Sequence, residues 1–122
     1  MKTPIGMLAF LLALAGGTAR AEMLTGPEIR ASVSGARIVG VNENESPYTL
    51  WLRPGGSMKG ILGKLKQFDD RGRWWVEGDK LCLHWELWLL GKPTCYDVEV
   101  SGDQITRFNL EDRVIIRSTL VR

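Results

Sequence analysis

The chain has 122 residues, with 16 Lys+Arg against 14 Asp+Glu and a formal charge of +2. This balance excludes the basic footprint of a nucleic-acid binder and the polybasic segment of a membrane-surface protein. The length suits one domain with a modest core.

The first element has the order of a secretory leader. Lys2 precedes an apolar run from Ile5 to Ala15, and Ala19-Arg20-Ala21 forms an A-x-A cleavage site before Glu22. The run is too short to cross a bilayer, which takes ~20 apolar residues. Residues 1–21 are therefore expected to be removed, leaving a single β-barrel-like domain over 22–122, periplasmic or secreted, with no membrane span. Loss of Lys2 and Arg20 leaves 14 basic and 14 acidic residues in that domain. Its densest basic stretch, Lys59 to Arg73, is interrupted by Asp69 and Asp70 and reads as a solvated face.

The next stretch, 24–35, predicts a short helix. Thr25 is placed to cap it, Glu28 stands where a capping box needs it, Pro27 suits the first turn, and Gly35 can end it. Beyond it, short alternating runs occupy 37–42, 47–53, 57–62, 73–77, 80–88, 95–100, 104–110 and 113–120. Turn residues separate them, among them Pro54-Gly55-Gly56, Asp70-Arg71-Gly72, Gly78-Asp79 and Ser101-Gly102-Asp103. The expected fold is all-β: an antiparallel meander of about eight short strands forming a small barrel or curled sheet, with one short N-terminal helix.

Residues 73 to 88, "RWWVEGDKLCLHWELW", contain Trp74, Trp75, Trp85, Trp88 and the single histidine, His84. A two-residue Gly78-Asp79 turn aligns Trp75 with Cys82 and Trp74 with Leu83. Trp74, Val76, Leu81, Leu83, Trp85 and Leu87 then share an apolar face. Trp75, Cys82, His84, Glu86 and Trp88 share the other, to which alternation also assigns Trp51. A slip of one residue would scramble this division. Further on, a three-residue loop at 101–103 would align Tyr96 with Phe108, and a loop at 111–113 would align Phe108 with Ile116.

"GRWWVEGDKLCLHW" followed by "CYDVEVSGDQITRF" resembles a family of small exported proteobacterial proteins of unknown function. The shared features are W-x-V-x-G-D-x-L-C from Trp74 to Cys82, Cys95-Tyr96, L-T-G-x-E-I from Leu24 to Ile29, and Ser46 to Thr49. The resemblance spans roughly 24–110. It implies a secreted β-rich domain with paired cysteines, and it gives no catalytic residues to carry over.

Two cysteines in an exported chain usually pair, so a Cys82–Cys95 bridge is expected. Register argues the other way. Direct pairing needs Leu87-Trp88-Leu89-Leu90 as the turn, which is poor turn chemistry. No catalytic residue, metal site or cofactor is assigned. A Ser-His-Asp relay would have to use His84, "GGSMKG" misses the nucleophile elbow, and no phosphate-binding or dinucleotide motif occurs. Two functions remain, both non-enzymatic. The first is a protein-binding or inhibitor-like module that meets an exported partner through Trp51, Trp75, His84 and Trp88. The alternative is a lipocalin-like carrier of a small apolar ligand, held among Trp74, Trp85, Tyr96 and Phe108.

Overall fold

Alternating side chains and glycine turns wind the chain into an antiparallel meander. The computed structural model describes residues 22–122; the expected leader, 1–21, lies outside the described residues. The elements are β1 (Glu22–Met23), α1 (Gly26–Val33), β2 (Arg37–Val41), β3 (Pro47–Leu52), β4 (Ser57–Leu62), β5 (Phe68–Glu77), β6 (Lys80–Trp85), a 3₁₀ turn (Trp88–Gly91), β7 (Thr94–Ser101), β8 (Gln104–Asn109) and β9 (Val114–Val121). Each strand from β2 to β9 pairs with the next, and β9 returns to β2, with Leu120 opposite Ile38. Eight strands thus close a barrel, which removes most free edges. β1 adds a short ninth strand beside the second half of β7, Met23 opposite Glu99, past the start of β6 at Lys80.

The helix forms as its cap predicts. Thr25 N–H donates to Glu28 Oε1 at 2.8 Å, and Glu28 N–H donates back to the Thr25 hydroxyl at 3.4 Å. The helix closes one end of the barrel. Its first N–H, from Gly26, donates to Asp79 Oδ1 in the β5–β6 turn at 2.7 Å, and Gly35 N–H reaches the Leu52 carbonyl at 2.6 Å. Ile29, Val33 and Ala36 join Ile38, Leu52, Trp74 and Leu81 in a continuous core. Trp74 and Trp85 are both buried, as the hairpin register predicts. That register is observed residue for residue, Trp75 opposite Cys82 and Trp74 opposite Leu83. Gly78 alone of its turn has a positive φ, 59°, which a type II′ turn requires at its first central residue.

Two registers differ from the sequence expectation. Between β7 and β8 the loop has two residues, not three. Ser101 faces Gln104, and Gly102-Asp103 repeats the Gly78-Asp79 turn with Gly102 at φ 61°. A shift of one residue turns every β8 side chain over. Val98 therefore faces Arg107, and Asp97 faces Phe108. Arg107 points inward and is 4% exposed, whereas Phe108 sits on the outer wall, half-buried. Between β8 and β9 a four-residue loop, 110–113, sets Phe108 opposite Ile115 instead of Ile116. Its shape is held by Asn109, whose side-chain oxygen accepts from Asp112 N–H at 3.1 Å.

The cysteine bridge is present and the pairing is direct. Cys82 faces Cys95, with the sulfurs bonded at 2.06 Å. The register conflict is resolved because β6 stops at Trp85 and not at residue 88, leaving 86–93 as a long connection. The bridge spans 13 positions, and closing a loop of that size stabilises by about 3 kcal/mol. Thiol titration of unfolded, unreduced protein should find no free thiol. The Cys82→Ala/Cys95→Ala pair should lower the denaturant midpoint by the corresponding amount.

Candidate functional site

In a meander, alternate turns lie at the same end. The turns after β3 and β5 meet the helical segment and the turn after β7 lies at the same end, so the connections after β2, β4, β6 and β8 form the opposite mouth. There the barrel is open. A cavity of about 950 Å³ enters it, reaching Leu50, Trp85, Tyr96 and Arg107 at depth. This lies within the ~300–1,000 Å³ typical of small-molecule sites. Eight strands leave an interior that side chains can fill or that holds one small ligand. This barrel does both: packed core at the helix end, cavity at the other.

The β6–β7 connection builds one wall of the mouth. Asp70, inward-facing on β5 and 5% exposed, organises it. Its Oδ2 accepts the N–H groups of Leu87 and Trp88 at 2.9 and 2.8 Å, and its Oδ1 accepts Arg71 N–H at 2.8 Å. Burial alone would raise the carboxyl pKa, but the N–H donors of Trp88, Leu87 and Arg71 outweigh it and hold the group below its ordinary value. From the far side, His84 Nε2 donates to the Gly91 carbonyl at 2.8 Å. Between these anchors, Leu89 and Leu90 adopt left-handed backbone, φ 56° and 58°. Leucine takes that conformation only where surrounding contacts enforce it. Here the contacts are Asp70, His84 and the disulfide pairing that ends the connection.

The geometry directs Trp88 inward. Its ring lies 4.7 Å from that of Trp85, tilted by 51°. Both approach Gly60 on β4, directly opposite Asp70, where any Cβ would collide with the two indoles. Across the cavity the Tyr48 hydroxyl meets the Ser118 hydroxyl at 2.6 Å. The rim is rich in apolar side chains. Apart from Met23, every large exposed apolar side chain among the described residues belongs to this end: Val41, Leu65, Phe68, Leu87, Leu89, Leu90, Leu110 and Ile115. Leu90 is 96% exposed.

Arg107 is the buried cationic side chain of this interior among the described residues. Its guanidinium lies 5.3 Å from the centre of the Tyr96 ring, and its Nε is buried with no hydrogen-bond partner among the described residues. Lys80–Asp97, on the outer wall, is the one ion pair among those residues.

The four residues expected to form one outer patch are dispersed. Trp51 and Trp75 lie half-buried on the outer wall, separated by β4. Trp75 donates to Glu77 Oε1 at 3.3 Å. His84 is on the outer wall but is engaged with Gly91, and Trp88 has left that wall for the cavity. Of the interior set, Trp85 and Tyr96 line the cavity. Trp74 is packed in the core with its Nε1–H on the Arg53 carbonyl at 2.7 Å, and Phe108 is outside. Arg107 and Asp70, like Leu50, Tyr48 and Ser118, are site residues that sequence reasoning missed. Among the described residues no three His, Cys, Asp or Glu side chains gather as metal ligands, and no helix is long and apolar enough to cross a membrane. No family model, no curated protein and no solved structure matches the chain.

Proposed function

We propose that this protein is a non-enzymatic carrier that holds a small, largely apolar molecule in the open end of its barrel, outside the cytoplasm. The observation that carries this reading is the cavity of about 950 Å³, walled by Leu50, Trp85, Trp88 and Tyr96 and rimmed by exposed leucines. A carrier needs a site that is preformed, mostly apolar and accessible from one side. The disulfide supports an exported setting, because such bridges persist in oxidising compartments. A second reading, a protein-binding module for an exported partner, draws on Trp51 and Trp75 on the outer wall.

The two readings separate in one experiment. A neutral apolar dye, N-phenyl-1-naphthylamine, should bind saturably at one site per chain and quench Trp85 and Trp88 emission. Ile116→Trp, which fills the cavity from β9, should abolish dye binding. Trp75→Ser on the outer wall should leave it unchanged. Absence of saturable binding, or binding indifferent to Ile116→Trp, would sink the carrier reading. Co-purification of an exported protein that is lost in Trp75→Ser would favour the module.

A further inference from the structure

We infer that the cavity selects amphiphiles with a single anionic head, which enters first and pairs with Arg107 while the apolar tail runs back toward the mouth. The inference rests on the carrier reading and adds the ligand's charge and orientation. Its basis is a cationic side chain inside the barrel that forms no ion pair among the described residues. Arg107 is 4% exposed, projects into the cavity from β8, and has a buried Nε without a hydrogen-bond partner among the described residues. A buried guanidinium with no anion is destabilising, and replacement by an apolar side chain commonly stabilises. A residue that breaks the apolar pattern at such cost is expected at a functional site.

The surroundings select the sign and the direction. Of the acidic side chains at this end, Glu43 and Asp112 line the cavity but form no ion pair with Arg107, and Asp70 already accepts three backbone N–H groups through its two oxygens. It is satisfied without Arg107. Guanidinium donors match a carboxylate in geometry and can bind it through two parallel hydrogen bonds. On the inner face of β9, Ser118 is a diagonal neighbour of Arg107, and its hydroxyl is bonded to that of Tyr48. Hydroxyls and guanidinium together make a polar floor. Leu50, Trp85 and Trp88 line the same cavity, and Leu89 and Leu90 stand exposed at its mouth. The mouth also carries Glu43, Lys92, Asp112, Arg113 and Arg117, so the orientation is set by the buried end, where only an inward head meets Arg107. The opposite orientation would leave Arg107 facing hydrocarbon.

Competition against the bound dye tests this with dodecanoate, dodecanol and dodecyltrimethylammonium, all below their micelle concentrations at neutral pH. Dodecanoate should displace the dye at concentrations at least about tenfold lower than the other two, as a charge-assisted pair contributes at this scale. Arg107→Met should abolish that preference and leave dodecanol unchanged, with a melting temperature equal to or above that of the parent. Arg107→Lys should keep a reduced preference, since a point charge replaces the fork. Should Arg107→Met fail to fold, the rise in melting temperature given by each of the three amphiphiles to the unaltered protein reads the same selectivity. Equal binding of dodecanoate and dodecanol would overturn the anion assignment and leave the carrier reading intact. Failure of the dye and of all three amphiphiles to bind would overturn both.

Discussion

Trp74→Ala is expected to lower stability by about 3–5 kcal/mol, the usual result of removing a buried indole. Trp74 is 3% exposed and sits where α1, β5 and β6 meet. Its ring faces the Arg30 guanidinium at 5.9 Å, and its Nε1–H holds the Arg53 carbonyl at the β3–β4 turn. One side chain therefore ties the helical plug, the central hairpin and a neighbouring turn. For a domain of this size the loss corresponds to a fall in melting temperature of about 15–30 °C. It would consume much of a typical total stability of ~5–15 kcal/mol. Trp74→Phe separates the parts. It retains most of the apolar area but strands a carbonyl, and should cost about 1–2 kcal/mol. Trp75→Ala, on the outer wall, should cost less than Trp74→Ala. Urea midpoints at unchanged slope would read all three. A Trp74→Ala protein within 1 kcal/mol of the parent, on the order expected for a surface change, would rule out this account of the core.

The central hairpin was legible because two independent signals agree there. Gly78-Asp79 names a turn, and only one register separates the apolar residues from the polar ones. The capping box and glycine stop of α1 were legible for the same reason. In β8 the two signals conflict. Turn chemistry at Gly102-Asp103 is the same as at Gly78-Asp79, yet the apolar pattern favours the slipped register, because that register puts Phe108 inside and Arg107 in water. The structure follows the turn and violates the pattern at Arg107, the residue on which ligand selectivity is argued to depend. Asp70 was hidden differently. Asp70-Arg71-Gly72 has the composition of a turn, but β5 runs through it from Phe68, and the glycine is there because His84 backbone passes too close for a Cβ. Nothing in the local sequence indicates left-handed backbone at Leu89 and Leu90. That conformation is imposed by contacts that exist only once the barrel has closed.

Asp70 carries the second large effect. Asp70→Ala should destabilise by about 2–4 kcal/mol, because three backbone donors lose a charged acceptor and two of them hold the β6–β7 connection. Asp70→Asn keeps one acceptor oxygen and should lose less. Both should shift Trp88 emission to the red as its wall loosens, and both should weaken dye binding even where the protein remains folded. The pH dependence follows from the direction of the shift. The folded carboxyl titrates below its ordinary value, so the unfolded chain takes up the proton first as pH falls. Asp70 therefore contributes fully above its unfolded pKa, about 4, and the contribution fades as pH drops through the lower folded value. Melting temperatures of the parent and Asp70→Asn, measured from neutral to strongly acid pH, should differ by a constant amount above about pH 5 and converge below it. Other carboxylates change both proteins alike and cancel in the difference. Parity of the two proteins at neutral pH, or a gap that widens as acid is added, would show that the mouth is held by something other than this aspartate.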